Sequence, residues 1–129
     1  EVLMISDLIV LDIFSSNFIN DNLIKTELVF EVTNSLNKAF QIKMDFYDPS
    51  NVLQYSFFID IDNSLTNTPL VTNHTEVFEA MSLAALKSST QLDISIILMS
   101  SPTGSVLTAD SIGNINLTSK GIFYFELKE

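Results

Sequence analysis

The sequence predicts an all-β protein, an antiparallel β-sandwich of seven or eight short strands with one short helix near residues 80–88. Three observations carry this reading. From Ala39 to Tyr47 the apolar Phe40, Ile42, Met44 and Phe46 alternate with Gln41, Lys43 and Asp45, the period-2 pattern of a strand with one face buried and one wet. Similar runs recur about every ten residues between turn-forming segments, as a sandwich requires. Helical spacing appears once only, whereas a parallel sheet would need recurrent crossover helices.

Taken in order, residues 3–14 place apolar side chains on both sides, Leu8 and Val10 against Ile9, Leu11 and Ile13. They are read as a strand buried on both faces or tucked between two sheets. Residues 15–22 read as a turn region, because Ser, Asn and Asp side chains bond their own backbone in competition with a ladder. The strand over 25–33 points Leu28, Phe30 and Val32 one way and Glu27, Glu31 and Thr33 the other, and 34–37 close it onto the middle strand. Asp48-Pro49-Ser50-Asn51 is the strongest turn signal, since Pro fixes φ at the second turn position and Asp and Asn suit the corners. Beyond it Leu53, Tyr55, Phe57, Ile59 and Ile61 share one face.

Residues 62–75 read as a polar connection broken by Pro69, long enough to cross between sheets, with Val77 and Phe78 finishing a strand. The Ala- and Leu-rich segment 80–87, with Leu83 and Leu86 at helical spacing, suits two turns of helix held by packing. Leu92, Ile94, Ile96 and Leu98 restore strand alternation, and 100–111, with Pro102 and Gly104, read as a second long loop. Two last strands, 112–118 and 122–128, are separated by a turn at Ser119-Lys120-Gly121.

A chain of 129 residues fits a single domain, 1–129. Its 47% hydrophobic content and ten Phe residues argue against disorder. Sixteen acidic against six basic side chains give a net charge of −10, which repels phosphate backbones and anionic lipid, so nucleic acid is not an expected partner. Such acidity also keeps an apolar chain soluble. The absence of cysteine removes disulfides, thiolate chemistry and cysteine metal sites together. No apolar run approaches the roughly 18 residues of a membrane span. The chain opens at Glu1 without an initiator Met, so a signal peptide or lipid anchor upstream of Glu1 is an expectation.

No catalytic constellation emerges. Asp60, Asp62 and Asn63 are oxygen donors of the kind that hold calcium, but they lack the further oxygens and the glycine of such loops and are read as a solvated strand end. His74 is the single histidine, so the several imidazoles of a zinc or acid/base site cannot be assembled; it is read as an exposed loop residue. No G-x-S-x-G elbow is present, and Gly104, Gly113 and Gly121 are too few for a phosphate loop. The expectation is therefore no enzyme, no cofactor and no metal. Asn73-His74-Thr75 and Asn116-Leu117-Thr118 match the N-glycosylation pattern, but such triplets arise by chance in an Asn- and Thr-rich chain.

The functional lead is apolar surface. Tyr47 and Phe58, with Val29, Ile97 and Tyr124, project from nominally polar faces, and the last strand carries Ile122 and Tyr124 with Glu126 as its one internal charge. Tyr47, Phe58, Ile122 and Tyr124 are accordingly the expected partner surface, unless a second layer of structure covers them.

The stretch Leu28-Val29-Phe30-Glu31-Val32-Thr33-Asn34, followed by Phe40 to Asp48 and its turn, resembles the early strands of small immunoglobulin-like domains of bacterial cell-envelope proteins. A similar strand-Asn-strand opening occurs in late-embryogenesis-abundant type 2 domains. The resemblance covers about a third of the chain and implies an immunoglobulin-like sandwich serving as a stalk, adhesion or assembly module, without catalytic residues to carry over. The Trp and the Cys pair of antibody domains are absent.

The expected function is thus a non-enzymatic extracytoplasmic module, in the cell envelope, at the surface or secreted, that binds a protein partner, self-associates or serves structurally. The alternative is a ligand-binding sandwich that grips a carbohydrate or lipid with loops 62–75 and 100–111. A pocket lined by two or more exposed aromatics favours the second; an open edge or flat apolar face favours the first.

Overall fold

The computed structural model describes residues 4–10, 14, 16–36, 38–64, 68–98 and 115–127. Among them the order is β1 Met4–Val10, α1 Asn17–Asn22, β2 Leu23–Asn34, β3 Phe40–Tyr47, β4 Leu53–Ile61, β5 Leu70–Phe78, α2 Ala80–Lys87, β6 Gln91–Leu98 and β7 Ile115–Phe125. The described residues are all-β apart from two short helices. One antiparallel sheet runs β1-β6-β3-β4 and the other β5-β2-β7. Among the described strands only β3 and β4 are successive members of one sheet, and otherwise successive described strands lie in opposite sheets.

The inner faces share one core. Phe40, Ile42, Met44 and Phe46 of β3 and Phe30 of β2 are buried as the alternation predicts, and Ile94 of β6 packs against them. The Phe46 ring meets Phe57 of its own sheet at 6.2 Å and Phe78 of the other at 5.8 Å. Phe30 and Phe57 meet across the sheets at 5.8 Å. Off-axis aromatic contacts of this kind add to the burial of area itself.

Between β3 and β4 the anticipated turn forms: Asn51 N–H donates to Asp48 O at 2.9 Å, and the Asp48 carboxylate accepts from the Ser50 and Val52 amides. Helix α2 lays Leu83 and Leu86 on the core. Its last residue, Lys87, donates to the carbonyls of Asn20 at 2.7 Å and Leu23 at 3.0 Å.

Four sequence expectations are corrected. Residues 17–22, expected as turn, form α1; its propensity is poor, but Ile19 joins the core and Phe18 packs on Phe125 at 5.7 Å, so tertiary contact decides. Residues 70–75, expected within a long connection, belong to β5. This edge strand turns half-buried Thr72, His74 and Glu76 inward and exposes Val71 and Val77, so hydropathy does not mark its inner face. The expected turn at Ser119-Lys120-Gly121 is absent, because β7 continues straight through it, paired with Phe30, Val29 and Leu28 of the twelve-residue β2. A Cβ at Gly121 would lie 2.7 Å from the Phe123 ring, so the glycine there serves close packing and not a reversal. Finally, among the described strands β1 is an edge paired with β6 and not an insert between sheets. Its side-chain burial and the expected loop over 100–111 lie outside the described residues.

Candidate functional site

The four expected surface residues do not form one patch. Tyr47 and Phe58 belong to the outward row of β3 and β4, where Phe58 is 50% exposed and Lys43 Nζ stands 6.0 Å from its ring. Tyr47 is half-buried at the strand end, and its carbonyl accepts from Thr90 N–H. Ile122 and Tyr124 project from the outer face of the other sheet, paired with Glu27 and Lys25 of β2. There the Tyr124 hydroxyl donates to the Glu27 carboxylate and Lys25 Nζ lies 5.1 Å from the Tyr124 ring. The Glu27 carboxylate, as acceptor, raises the Tyr124 phenol pKa above its usual 10.0.

Among the described strands β7 is an edge. Ile122, Tyr124 and Phe125 are exposed along it, and Leu127, just past its end, is exposed as well. Lys120 is its only charge between Ile115 and Phe125, and edges of this kind are open to pairing with a further strand unless charge or a bulge blocks them.

A cluster not anticipated from the sequence lies on the opposite side, where β4 and β5 are the neighbouring sheet edges. His74 is a strand residue, not the exposed loop residue expected: its ring stacks on Phe57 at 5.4 Å, and Nε2 lies 2.8 Å from Glu76 Oε1. The Tyr55 hydroxyl donates to the other oxygen of the same carboxylate. Burial first, then the hydrogen bond and charge of Glu76, push the Tyr55 phenol from 10.0 up to about 12. The sequence signal was available in principle, since His74 and Glu76 are two apart and share a strand face with Phe78. Their mutual satisfaction makes the cluster a polar seam between sheets.

Asp60 and Asp62 are both exposed. Asp60 accepts from Gln41 Nε2 at 2.7 Å, while the Asp62 backbone carbonyl accepts from Asn34. Among the described residues no three His, Cys, Asp or Glu side chains gather as metal ligands. A shallow concavity of about 380 Å³ beside them is lined by Asp62, Asn63, Thr68, Pro69 and Leu70, without an aromatic. No described helix is long and apolar enough to cross a membrane.

Neither a family model nor a curated protein sequence matches the chain. Among solved structures, a chain of the infectious bursal disease virus Gx strain structure is similar, with a TM-score of 0.52 over 94% of this chain at 11% identity. The present chain spans 26% of the length of that viral chain. At such identity the likeness concerns the fold alone.

Proposed function

We propose that this protein is a non-enzymatic, extracytoplasmic binding or structural module of a surface or envelope assembly, with an immunoglobulin-like sandwich as scaffold and the edge of β7 as its docking strand. The observation that carries the reading is the position of β7 at a sheet edge among the described strands, with Ile122, Tyr124 and Phe125 exposed along it. An incoming strand gains main-chain hydrogen bonds there, and the outward Ile122 and Tyr124 supply apolar side-chain contact. Seven described strands in two sheets over one core support the scaffold assignment.

Tyr124→Lys tests the docking edge. It sets a second cation opposite Lys25 and removes the ring while leaving the core untouched. Sedimentation velocity is expected to show weakened self-association, or pull-down weakened partner capture, with the melting midpoint little changed. Assembly and capture both equal to wild type would overturn the docking role of β7.

A further inference from the structure

The outer face of the three-stranded sheet carries a second, chemically distinct feature. Glu31 of β2 stands in register between Asn73 of β5 and Thr118 of β7, and the next row places Val29 between Thr75 and Lys120. With neighbouring strands about 4.8 Å apart and outward residues about 7 Å apart along each strand, these side chains occupy a field roughly 10 Å across. They border a concavity of about 310 Å³ lined by Val29, Glu31, Asn73, Thr118, Ser119 and Lys120. All of the polar members are exposed. None of their side chains is hydrogen-bonded or ion-paired to another described residue, in contrast to the fully engaged Tyr55, Glu76 and His74.

We propose that this concavity is a binding site for a neutral saccharide chain. A carboxylate that accepts, an ammonium that donates, an amide that does both and the Thr118 hydroxyl, which does both, form the mixed set that sugar hydroxyls require. Val29, half-buried in the centre, offers a small apolar floor for the C–H face of a ring. Glu31 and Lys120 oppose each other in charge, so the field selects no ion, and the overall charge of −10 disfavours an anionic glycan. The depression is shallow, whereas small-molecule sites enclose most of their ligand; a chain laid across the strands gains contact by length instead. Mounting on three paired strands holds the groups in place before binding, which lowers the entropic cost. The site lies on the sheet and not on the loops from which a carbohydrate grip was expected.

The test is electrophoresis of the native protein through gels containing laminarin, xylan, galactomannan or soluble starch. At least one of these neutral polysaccharides is expected to retard the wild type. Glu31→Ala and Asn73→Ala, both at exposed positions, are expected to weaken that retardation about tenfold each, as loss of a hydrogen bond at a charged or amide group does, with unchanged melting. Lack of retardation in all four gels would overturn the proposal, as would variants retarded like the wild type. Because Tyr124 does not line the concavity, Tyr124→Lys is expected to leave retardation intact, so failure of the docking edge and failure of this site are separable.

Discussion

His74 of β5 stacks on Phe57 of β4 with 17° between their planes and 5.4 Å between centroids, which makes a polar residue of one sheet edge a packing partner of the other sheet. The imidazole closes the seam as an aromatic would, while its nitrogen remains bonded to Glu76. His74→Ala therefore removes both a stacking surface and a partner of a carboxylate. It is expected to lower stability by about 1–3 kcal/mol in urea denaturation. A midpoint equal to wild type would show the seam to be incidental.

Tyr55 gives that seam a pH signature. Its folded pKa of about 12 exceeds the ordinary 10.0. Below pH 10 both folded and unfolded chains hold the phenolic proton and the contribution is fully present; between 10 and about 12 the unfolded chain releases it while the folded chain retains it, so stability is lost across that window. Absorbance titration at alkaline pH is expected to show a late-ionising phenol, distinct from the Tyr124 phenol that Glu27 also raises, that is absent in Tyr55→Phe and shifted down in Glu76→Gln. A Tyr55 that titrates at its ordinary value would contradict the hydrogen bond.

Phe46 is fully buried and its ring contacts Tyr55, Phe57 and Phe78. Phe46→Ala is expected to cost about 3–5 kcal/mol, combining lost transfer energy with the cavity left between the sheets. An unchanged denaturant midpoint would remove Phe46 from the centre of the core.

Asn34, also fully buried, binds three backbone groups on two loops: its amide nitrogen donates to Lys38 O at 3.1 Å and Asp62 O at 3.0 Å, and its oxygen accepts from Leu36 N–H at 2.9 Å. Asn34→Ala strands all three groups and is expected to cost about 2–4 kcal/mol, since buried unsatisfied groups lose about 1–3 kcal/mol each and relaxation recovers part. Loss below about 1 kcal/mol would mean that the two loops hold without it.

Ala80 begins α2 at φ 52°, a left-handed conformation that costs an L-residue about 1–2 kcal/mol. Glycine carries no such penalty, so Ala80→Gly is expected to stabilise by up to about 1 kcal/mol after the larger entropy of the unfolded chain is offset. An ordinary helical alanine would instead lose about 1 kcal/mol on the same change, so thermal melting separates the two by sign.

The sequence alone determined the elements in which side-chain polarity and burial coincide. The Phe57, Ile59 and Ile61 row of β4 alternates cleanly because one face meets the core and the other meets water, and β3 turns its Phe40, Ile42, Met44 and Phe46 face inward in the same way although Asp45 of its other face is also buried. The Asp48 turn and α2 were legible because their backbone demands are local. Tertiary structure decided the rest. Residues 70–75 became a strand because Phe57 and Tyr55, distant in sequence, receive His74 and Glu76 on its inner face. Ser119-Lys120-Gly121 stayed extended because twelve residues of β2 required a partner along their length. The separation of Tyr47 and Phe58 from Ile122 and Tyr124, and the meeting of Glu31, Asn73 and Thr118, follow from which strands share a sheet. Strand order is set by long-range pairing, on which the period of a single strand carries no information.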